Sequence, residues 1–431
     1  MLSAFAMAFR TPDLRKKIFF TLSIMALFRF GSVVPTPGVS YTNVQECLKT
    51  VETGGLFGLI NLFSGGALIQ LSVFALGIMP YITSSIIVQL LTVVIPRFEA
   101  LKQEGQSGTA KLTQYTRYLT IGLAILQSTG LIAVARTPGR LLAGCDLAII
   151  PDTSWQRIVT MIFVMTAGTS VIMWLGELIT DRGVGNGMSI LIFTSIAASF
   201  PSQLWSIRLQ KGLFAFIFVM VVGVMVVAAV VFVEQAQRRI PVQYAKRMVG
   251  RQAYGGTSTY IPIKVNQAGV IPVIFASSLL YIPSLIVNFT NSQAAWAVWV
   301  SRNFVTGDHP IYVATYAALI IFFTYFYVAI TFNPDEVADN MKKYGGFIPG
   351  IRAGRPTSEY LQYVLSRITA PGSLYLALVA VIPIAALILF GATQNFPFGG
   401  TAILIVVGVG LDTAKQIESQ LQQRSYEGFL K

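Results

Sequence analysis

Apolar residues along this chain fall into long uncharged runs that are separated by short polar segments. A membrane-spanning α-helix needs about 20 consecutive apolar residues, and ten runs come near that length. They lie at about residues 18–34, 73–95, 115–135, 158–176, 187–205, 213–233, 268–289, 311–332, 371–391 and 396–411. Continuous runs predict helices, because membrane β-strands show shorter alternating segments. The pattern therefore predicts an all-α polytopic membrane protein with ten transmembrane helices.

The composition agrees with a membrane location. Of the 431 residues, 54% are hydrophobic and 11% are charged, whereas an ordinary soluble domain carries about 25% charged residues. The mean hydropathy is +0.66. The first run follows the basic segment RTPDLRKK as a signal peptide would, but it continues without a convincing small-residue cleavage site. We therefore interpret the first run as a span.

The stretch from Gly54 to Pro96 contains no charged side chain and is long enough for one crossing or two. Lysine and arginine in short loops mark the cytoplasmic side. One crossing places both termini and most of the 31 basic residues there, whereas two crossings would move most of them outside. We therefore expect one crossing at 73–95, with a break at 64–66. Residues 56–71 then form either a re-entrant half-helix shielded by other helices or an apolar loop on the outer interface.

Two loops on the predicted cytoplasmic side are long and basic. Loop 234–267 carries six basic residues and one acid, Glu234, and its sequence TSTYIPIKV predicts a short hairpin arm. Loop 333–370 has a basic tip with Gly and Pro. Such loops suit docking to RNA phosphate or to an acidic protein face, although positive charge on this side is also what topology alone requires.

The chemistry that the chain lacks narrows the functional classes. The spans have no Asp, Glu or His near their centres, and proton-coupled carriers usually need such groups. The sequence contains no Walker A, GxSxG or HExxH motif, so we expect no catalytic residue, no cofactor and no metal site. A secondary transporter of the inverted-repeat type remains an alternative, because broken helices are typical of that class too.

The chain has two cysteines, Cys47 and Cys145, which are too few for a disulfide framework or a metal cluster. Both fall in loops that the topology places on the outer side, where a single bridge could form. We nevertheless expect two unpaired thiols. The single histidine, His309, is expected to be a solvated loop residue.

Several long segments, in order along the chain, resemble bacterial SecY, the central subunit of the Sec protein-conducting channel. They are INLFSGG, GIMPYITSSIIVQLLTVV, GELITDRGVGNGMS, RRIPVQYAKRMVGR, KVNQAGVIPVIFASS, YGGFIPGIR and GGTAILIVVGVGLD. The resemblance runs from about residue 10 to the C-terminus, and two segments look most like actinobacterial or related Gram-positive members. It implies two pseudo-symmetric, inverted halves of five helices, here 1–205 and 206–431, the latter with a C-terminal tail at 412–431. Residues 56–71 would be a re-entrant plug.

The resemblance also implies a pore ring and the core of the plug. The ring residues would be Ile82, Ile86, Met188, Ile192, Ile274 and Ile405. The plug residues would be Asn61, Leu62, Phe63, Ser64, Gly65 and Gly66. Ring residues four apart share one helix face, and uncharged aliphatic side chains can close and dewet a narrow waist. Without the resemblance, each would be read as an ordinary packing residue.

Two further groups of residues follow from the same resemblance. Spans two and seven would flank a lateral gate with the polar residues Gln89, Thr92, Gln127 and Asn266, although each could equally be an ordinary interhelical contact. The basic residues Arg239, Lys246, Arg247, Arg251 and Arg352 would dock SecA and the ribosome. Ala353 stands where the family usually has proline, which loosens the backbone beside Arg352.

The function implied by the resemblance is a passive protein-conducting channel in the cytoplasmic membrane. Precursor polypeptides with signal sequences would cross it unfolded, and apolar segments would leave sideways into membrane lipids. The chain is not expected to be an enzyme, so the driving energy would come from SecA or the ribosome. SecE and SecG are implied as partner subunits by the family alone.

Overall fold

The structure, a computed structural model, describes residues 9, 11–50, 64–137, 147–244, 247–249, 252–254, 258–290, 295–300, 303–304, 309–390 and 400–429. The first part of the chain forms helices α1 (Pro12–Val33), α2 (Tyr41–Thr50), α3 (Met79–Val94), α4 (Pro96–Gln103), α5 (Gln106–Ala135), α6 (Trp155–Arg182) and α7 (Gly187–Gln235). The second part forms helices α8 (Ile271–Thr290), α9 (Ala295–Val300), α10 (Pro310–Thr331), α11 (Pro334–Lys343), α12 (Arg355–Phe390) and α13 (Gly400–Phe429). Five short strands are β1 (Gln237–Tyr244), β2 (Arg247–Val249), β3 (Gln252–Tyr254), β4 (Ser258–Lys264) and β5 (Gly346–Phe347).

The helices coincide with the apolar runs of the sequence. Among the described residues, five helices are long and apolar enough to cross a membrane, and the bent pair α3 and α4 would make six. Two shorter apolar helices, Gly187–Pro201 and Ile271–Leu280, match further runs. The runs at 18–34 and 396–411 match α1 and α13, which also carry charged residues.

Helix α7 contains both the fifth and the sixth predicted span, and its helical backbone is interrupted between them at Gly212. This residue has a φ of 83° and a ψ of 179°, which no helix contains. Nothing lies within 4 Å of the position that a Cβ would take, so the left-handed backbone and not crowding favours glycine there. The two spans are therefore separate helices with a sharp change of direction between them.

The second span begins later than the sequence predicted. The run starts at residue 73, but α3 begins at Met79, and the buried residues before it form successive turns. The backbone N–H of Thr36 donates to the carbonyl of Leu71, and that of Val73 donates to the carbonyl of Val34. These bonds hold the residues just after α1 against 71–73, which keeps the apolar segment out of a helix.

The predicted plug half-helix falls partly on residues that the structure describes. Residues 56–63 lie outside the described residues. Ser64 is helical, and residues 65–71 form turns rather than a continued helix. Gly65, Gly66 and Leu71 have positive φ values, which an α-helix cannot accommodate.

Three apolar clusters form the membrane-embedded core. One joins α2, the turns at 67–76, α5 and α6. A second joins α7, α8, α10, α12 and α13. Between them, a third cluster combines α1, α6 and the start of α7 with Ile274 of α8 and Ile405 of α13. The two parts of the chain thus meet in one shared apolar contact.

The two basic loops share a three-stranded sheet, β4-β1-β5, and the first loop also holds a separate two-stranded sheet of β2 and β3. β1 pairs with β4 in antiparallel register from Gln237 opposite Lys264 to Gln243 opposite Ser258, which confirms the predicted hairpin. β5, from the second loop, pairs with the other edge of β1. The second loop also contains α11 and the start of α12, so the segment outside helices is shorter than the predicted loop 333–370. The C-terminal tail continues α13 as one helix to Phe429.

The expectation of unpaired thiols is wrong for Cys47, which is disulfide-bonded and fully buried. The other cysteine of the chain, Cys145, lies outside the described residues. The amide Nδ2 of Asn43 donates to the carbonyl of Ala148 at 2.8 Å, so α2 folds against the segment that follows residue 146. This proximity could not be predicted from the sequence, because the two segments belong to different loops.

Replacing Cys47 by Ser should lower the free energy of unfolding by about 2–4 kcal/mol, because the bridge closes a long loop. Thermal denaturation in detergent, with and without a reducing agent, measures this. Reduced wild type should match the Cys47→Ser protein, and Cys145→Ser serves as the matched second variant. An unchanged melting temperature in all three would contradict the prediction.

Candidate functional site

A cavity of about 500 Å³ lies where the two parts of the chain meet. It is lined by side chains from α3, α5, α6, α7, α8 and α13 and by residues that directly precede α7 and α8. All six predicted ring residues line it: Ile82, Ile86, Met188, Ile192, Ile274 and Ile405. Residues from four helices far apart in sequence are thus brought to one place.

The start of α7 is held in a fixed position beside α6. The side-chain oxygen of Asn186 caps the helix by accepting from the backbone N–H of Met188 at 3.1 Å. A Cβ at Gly187 would lie 1.8 Å from the carbonyl oxygen of Gly176, so only glycine allows the two backbones to approach this closely. The sequence GVGNG therefore serves as a tight turn that places Met188 and Ile192 on the cavity wall.

The floor of the cavity is apolar and closely packed. Ile86, Ile192, Ile274 and Ile405 are all buried. Ile192, Ile274 and Ile405 belong to the apolar cluster that joins the two parts of the chain, and Ile82 and Met188 pack against it. The six side chains are therefore uncharged, line one cavity and come from both parts of the chain.

The rim of the cavity is polar. The guanidinium of Arg117 makes two hydrogen bonds to the carboxylate of Glu177, from Nε at 2.9 Å and from Nη2 at 2.7 Å. Its Nη1 donates to the side-chain oxygen of Gln114 at 3.0 Å. Asp181 and Gln89 also line this end. Sequence reasoning missed the ion pair, because the partners lie 60 positions apart and nothing in the local pattern links them.

Among the residues that the structure describes, the hydrogen bonds of the predicted gate residues do not connect the helices that would form the gate. Thr92 donates to the backbone carbonyl of Gln89 in its own helix, and Gln89 lines the cavity. Asn266, which precedes α8, donates to the carboxylate of Glu234 at the end of α7. Gln127 is half-buried on α5, and α5 contacts α8. The helices that would form a gate, α3, α5, α8 and α10, are neighbours. The hydrogen bonds of Thr92 and Asn266 are made within α3 and to α7, respectively, and not across the gate.

The predicted plug residues are divided by what the structure describes. Asn61, Leu62 and Phe63 lie outside the described residues. The hydroxyl of Ser64 accepts from the backbone N–H of Leu68 at 3.0 Å. Gly65 and Gly66 follow in the turns that precede α3.

Of the five predicted docking residues, the structure describes Arg239 in β1, Arg247 in β2 and Arg352 after β5. Arg239 stacks over the ring of Tyr260 at 4.8 Å, and both are exposed. Arg247 is in β2, whereas Lys246 and Arg251 lie outside the described residues. Arg352 is exposed in the turn after β5, close in sequence to the exposed aromatic residues Tyr344 and Phe347. The pairing of β5 with β1 brings the two loops together, and each loop exposes basic and aromatic side chains.

Among the residues that the structure describes, no group of three or more His, Cys, Asp or Glu side chains could hold a metal ion. The cavity is lined by polar and aliphatic side chains, and these come from helices of both parts of the chain.

Comparisons with known proteins give the same picture as the sequence motifs. A family model described as SecY matches residues 72–414. The protein translocase subunit SecY of Streptomyces galbus is 68% identical over 438 residues, and that of Mycobacterium tuberculosis is 60% identical over 442 residues. Each alignment covers 100% of this chain and 100% of the relative.

Solved structures share the fold at lower identity. A protein-conducting channel has a TM-score of 0.63 and 19% identity, covering 94% of this chain and 91% of that chain. Sec61 from a canine ribosome–channel complex has a TM-score of 0.59 and 17% identity, with the same two coverages. The predicted all-α fold with ten spans is therefore confirmed. The match to the family model and the full-length similarity to actinobacterial relatives show that this chain belongs to the SecY family.

Proposed function

We propose that this chain is the protein-conducting channel of a cytoplasmic membrane, through which unfolded polypeptides cross and from which hydrophobic segments leave sideways into the bilayer. The observation that carries the proposal is the cavity between the two parts of the chain, whose lining includes all six aliphatic side chains of the predicted ring. Its relatives are protein translocase subunits, and its structural neighbours include a protein-conducting channel. Nothing favours a secondary transporter, since the narrow floor offers no polar ligand for a small solute.

The ring residues suit a seal that opens for a chain of any sequence. Branched aliphatic side chains present no charge or hydrogen-bonding group, so a narrow waist made of them excludes water and ions. Met188 departs from the branched pattern, but its flexible thioether fills gaps of variable shape. Because dispersion contacts are weak individually, the ring can yield around a passing polypeptide without a specific binding step.

The polar side chains of the cavity wall would contact a passing polypeptide before the ring without binding it tightly. Arg117 and Glu177 neutralise one another through two hydrogen bonds, so this part of the wall carries little net charge. A hydrated wall of this kind keeps an extended polypeptide solvated until it reaches the ring. We therefore assign the ion pair a structural role in the funnel wall.

The small sheet is proposed to face the cytoplasm, together with both termini. Basic residues cluster there, as positive-inside topology requires. The disulfide of Cys47 supports this orientation, because α2 follows the far end of α1 and disulfides persist outside the cytosol. The halves would be 1–205 and 206–431, with a lateral gate formed by α3 and α5 on one side and α8 and α10 on the other.

Partners supply the energy in this proposal, and the chain itself would not be an enzyme. SecA and the ribosome would dock on Arg239, Lys246, Arg247, Arg251 and Arg352. Exposed guanidinium groups beside aromatic rings suit both RNA phosphate and an acidic protein face. Sec61 and Ssh1 have been solved bound to ribosomes, which supports the ribosome as one partner. SecE and SecG are proposed from the family alone.

Crosslinking of an arrested precursor tests the central proposal. Photoreactive residues at positions 82, 192 and 274 should each capture a precursor that is halted during SecA-driven transport in vesicles. A fourth probe at Ile125, exposed on α5 away from the cavity, is the control and should capture none. Saturable uptake of small solutes without any crosslink at the three cavity positions would reverse the assignment.

Polar substitutions in the ring should increase the resting ion conductance. Ile86→Asn or Ile274→Asn places an amide in the aliphatic constriction, which lets water and ions enter. Conductance of the purified channel in planar bilayers should rise about tenfold, since hydrating the waist removes a barrier of roughly 1.4 kcal/mol or more. Ile125→Asn, which adds the same amide on an exposed helix face, should leave the conductance unchanged. Equal conductance in all variants would remove the ring assignment.

Reversing the charge of Arg352 should impair transport that depends on SecA. Arg352→Glu places a carboxylate on a surface proposed to bind an acidic partner, which costs several-fold in affinity at low salt. The matched control is Arg355→Glu, because Arg355 is also exposed but already pairs with Glu359. SecA-driven precursor transport by the Arg352 variant should fall, while insertion of the channel itself stays normal. Normal transport would remove this residue from the docking surface.

A further inference from the structure

Arg29 is a charged side chain inside an otherwise apolar membrane run. It lies in α1 within the run at 18–34. Charged groups at membrane depth are costly and are retained where they have a partner or a task. Among the residues that the structure describes, the ion pairs do not include Arg29, so its charge is not balanced by a carboxylate there.

The partner of Arg29 is the backbone of the turn that follows Ser64. Nη1 of Arg29 donates a hydrogen bond to the carbonyl oxygen of Gly65, 36 positions along the chain. The chain forms turns directly after Ser64, where carbonyl groups lack the partners that a continued helix would supply. A guanidinium is well suited to such a carbonyl, because it supplies charge-assisted donors without needing an acid.

Gly65 also lies close to α7. A Cβ at this position would lie 3.1 Å from Cα of Ser195 in α7 and 3.2 Å from Nη1 of Arg29. Gly66 also has a positive φ, but no atom lies within 4 Å of the position that a Cβ would take there. The turn is therefore held between α1 and α7 at one residue, Gly65, and is open at the next.

This contact lies close to the proposed seal. Ser195 is three residues after the ring residue Ile192, so both lie on the same side of α7, about one turn apart. The turns at 65–78 lead directly into α3, which carries Ile82 and Ile86. Movement of the turn would therefore disturb two of the helices that carry the ring.

We propose that Arg29 is a positioning residue that holds the turn at 64–66 against α7 in the closed channel. The inference rests on the proposed channel function and names a residue that sets its resting state. In a dry environment the bond from the guanidinium to the carbonyl is strong, because neither group has water as an alternative. When a polypeptide opens and hydrates the waist, water can replace Arg29 at the carbonyl and the contact weakens. The bond thus favours the closed state and does not oppose a channel that is already open.

Three variants of the full chain, purified with its co-purifying subunits, test this role. Arg29→Gln removes the charge, and Gly65→Ala crowds the contact from the other side. The matched control is Gly66→Ala, which carries a similar backbone strain in open space. Resting conductance in planar bilayers should rise about tenfold in the first two, as expected for losing a charged hydrogen bond, and less than about twofold in the control.

A second measurement separates positioning from general stability. Transport of a precursor with a defective signal sequence should increase in Arg29→Gln, because less energy is needed to open the channel, whereas a merely unstable protein would transport less. Arg29→Lys, which keeps the charge and a donor, should restore low conductance. If Arg29→Lys conducts like Arg29→Gln, or if Gly66→Ala conducts like Gly65→Ala, the proposal is overturned.

The outcomes also separate this inference from the proposed function. Normal conductance in Arg29→Gln and Gly65→Ala, together with raised conductance in Ile274→Asn, would overturn the role of Arg29 and leave the channel intact. Normal conductance in all of them, with no precursor crosslinked in the cavity, would overturn the channel itself.

Discussion

The structure depends on one constraint, which is that backbone N–H and C=O groups at membrane depth need partners inside the protein. Helices meet this need internally, and most of the chain is helical. The exception is the apolar segment from 65 to 78, whose turns are buried against α1, α6 and α7. Hydrogen bonds from Thr36 and Val73 and the contact of Arg29 with Gly65 supply partners for part of this backbone. A non-helical segment can therefore lie beside the cavity without exposing polar groups to lipid.

The same constraint explains how the cavity combines two chemistries. Arg117, Glu177 and Asp181 line it together with the aliphatic side chains that are proposed to seal it. The two parts of the chain contribute to the floor from opposite sides, so the seal depends on their contact and not on any one helix. A channel that must open for a chain and close against ions fits this arrangement.

Much of the fold could be predicted from the sequence, because each apolar run predicts a helix without reference to distant residues. The β1–β4 hairpin and the family motifs were equally local signals. What could not be predicted are contacts between distant positions: the pair of Arg117 with Glu177, the disulfide of Cys47 and the pairing of β5 with β1. The late start of α3 belongs to the same class, since bonds from the residues after α1 decide it. The six ring positions followed from the resemblance, and composition alone would have left them as packing residues.

The three-stranded sheet has a mechanical consequence. β1 follows the end of α7, β4 leads through a short bend into α8, and β5 lies between α11 and α12. Because hydrogen bonds join these strands across both edges of β1, a force on one of them is shared by all three. The ends of α7, α8 and α12 that adjoin these strands are thereby mechanically linked. Since Ile274 of α8 lies ten residues after Lys264, the last residue of β4, a force applied to the sheet would be transmitted to the proposed ring through a short length of covalent chain.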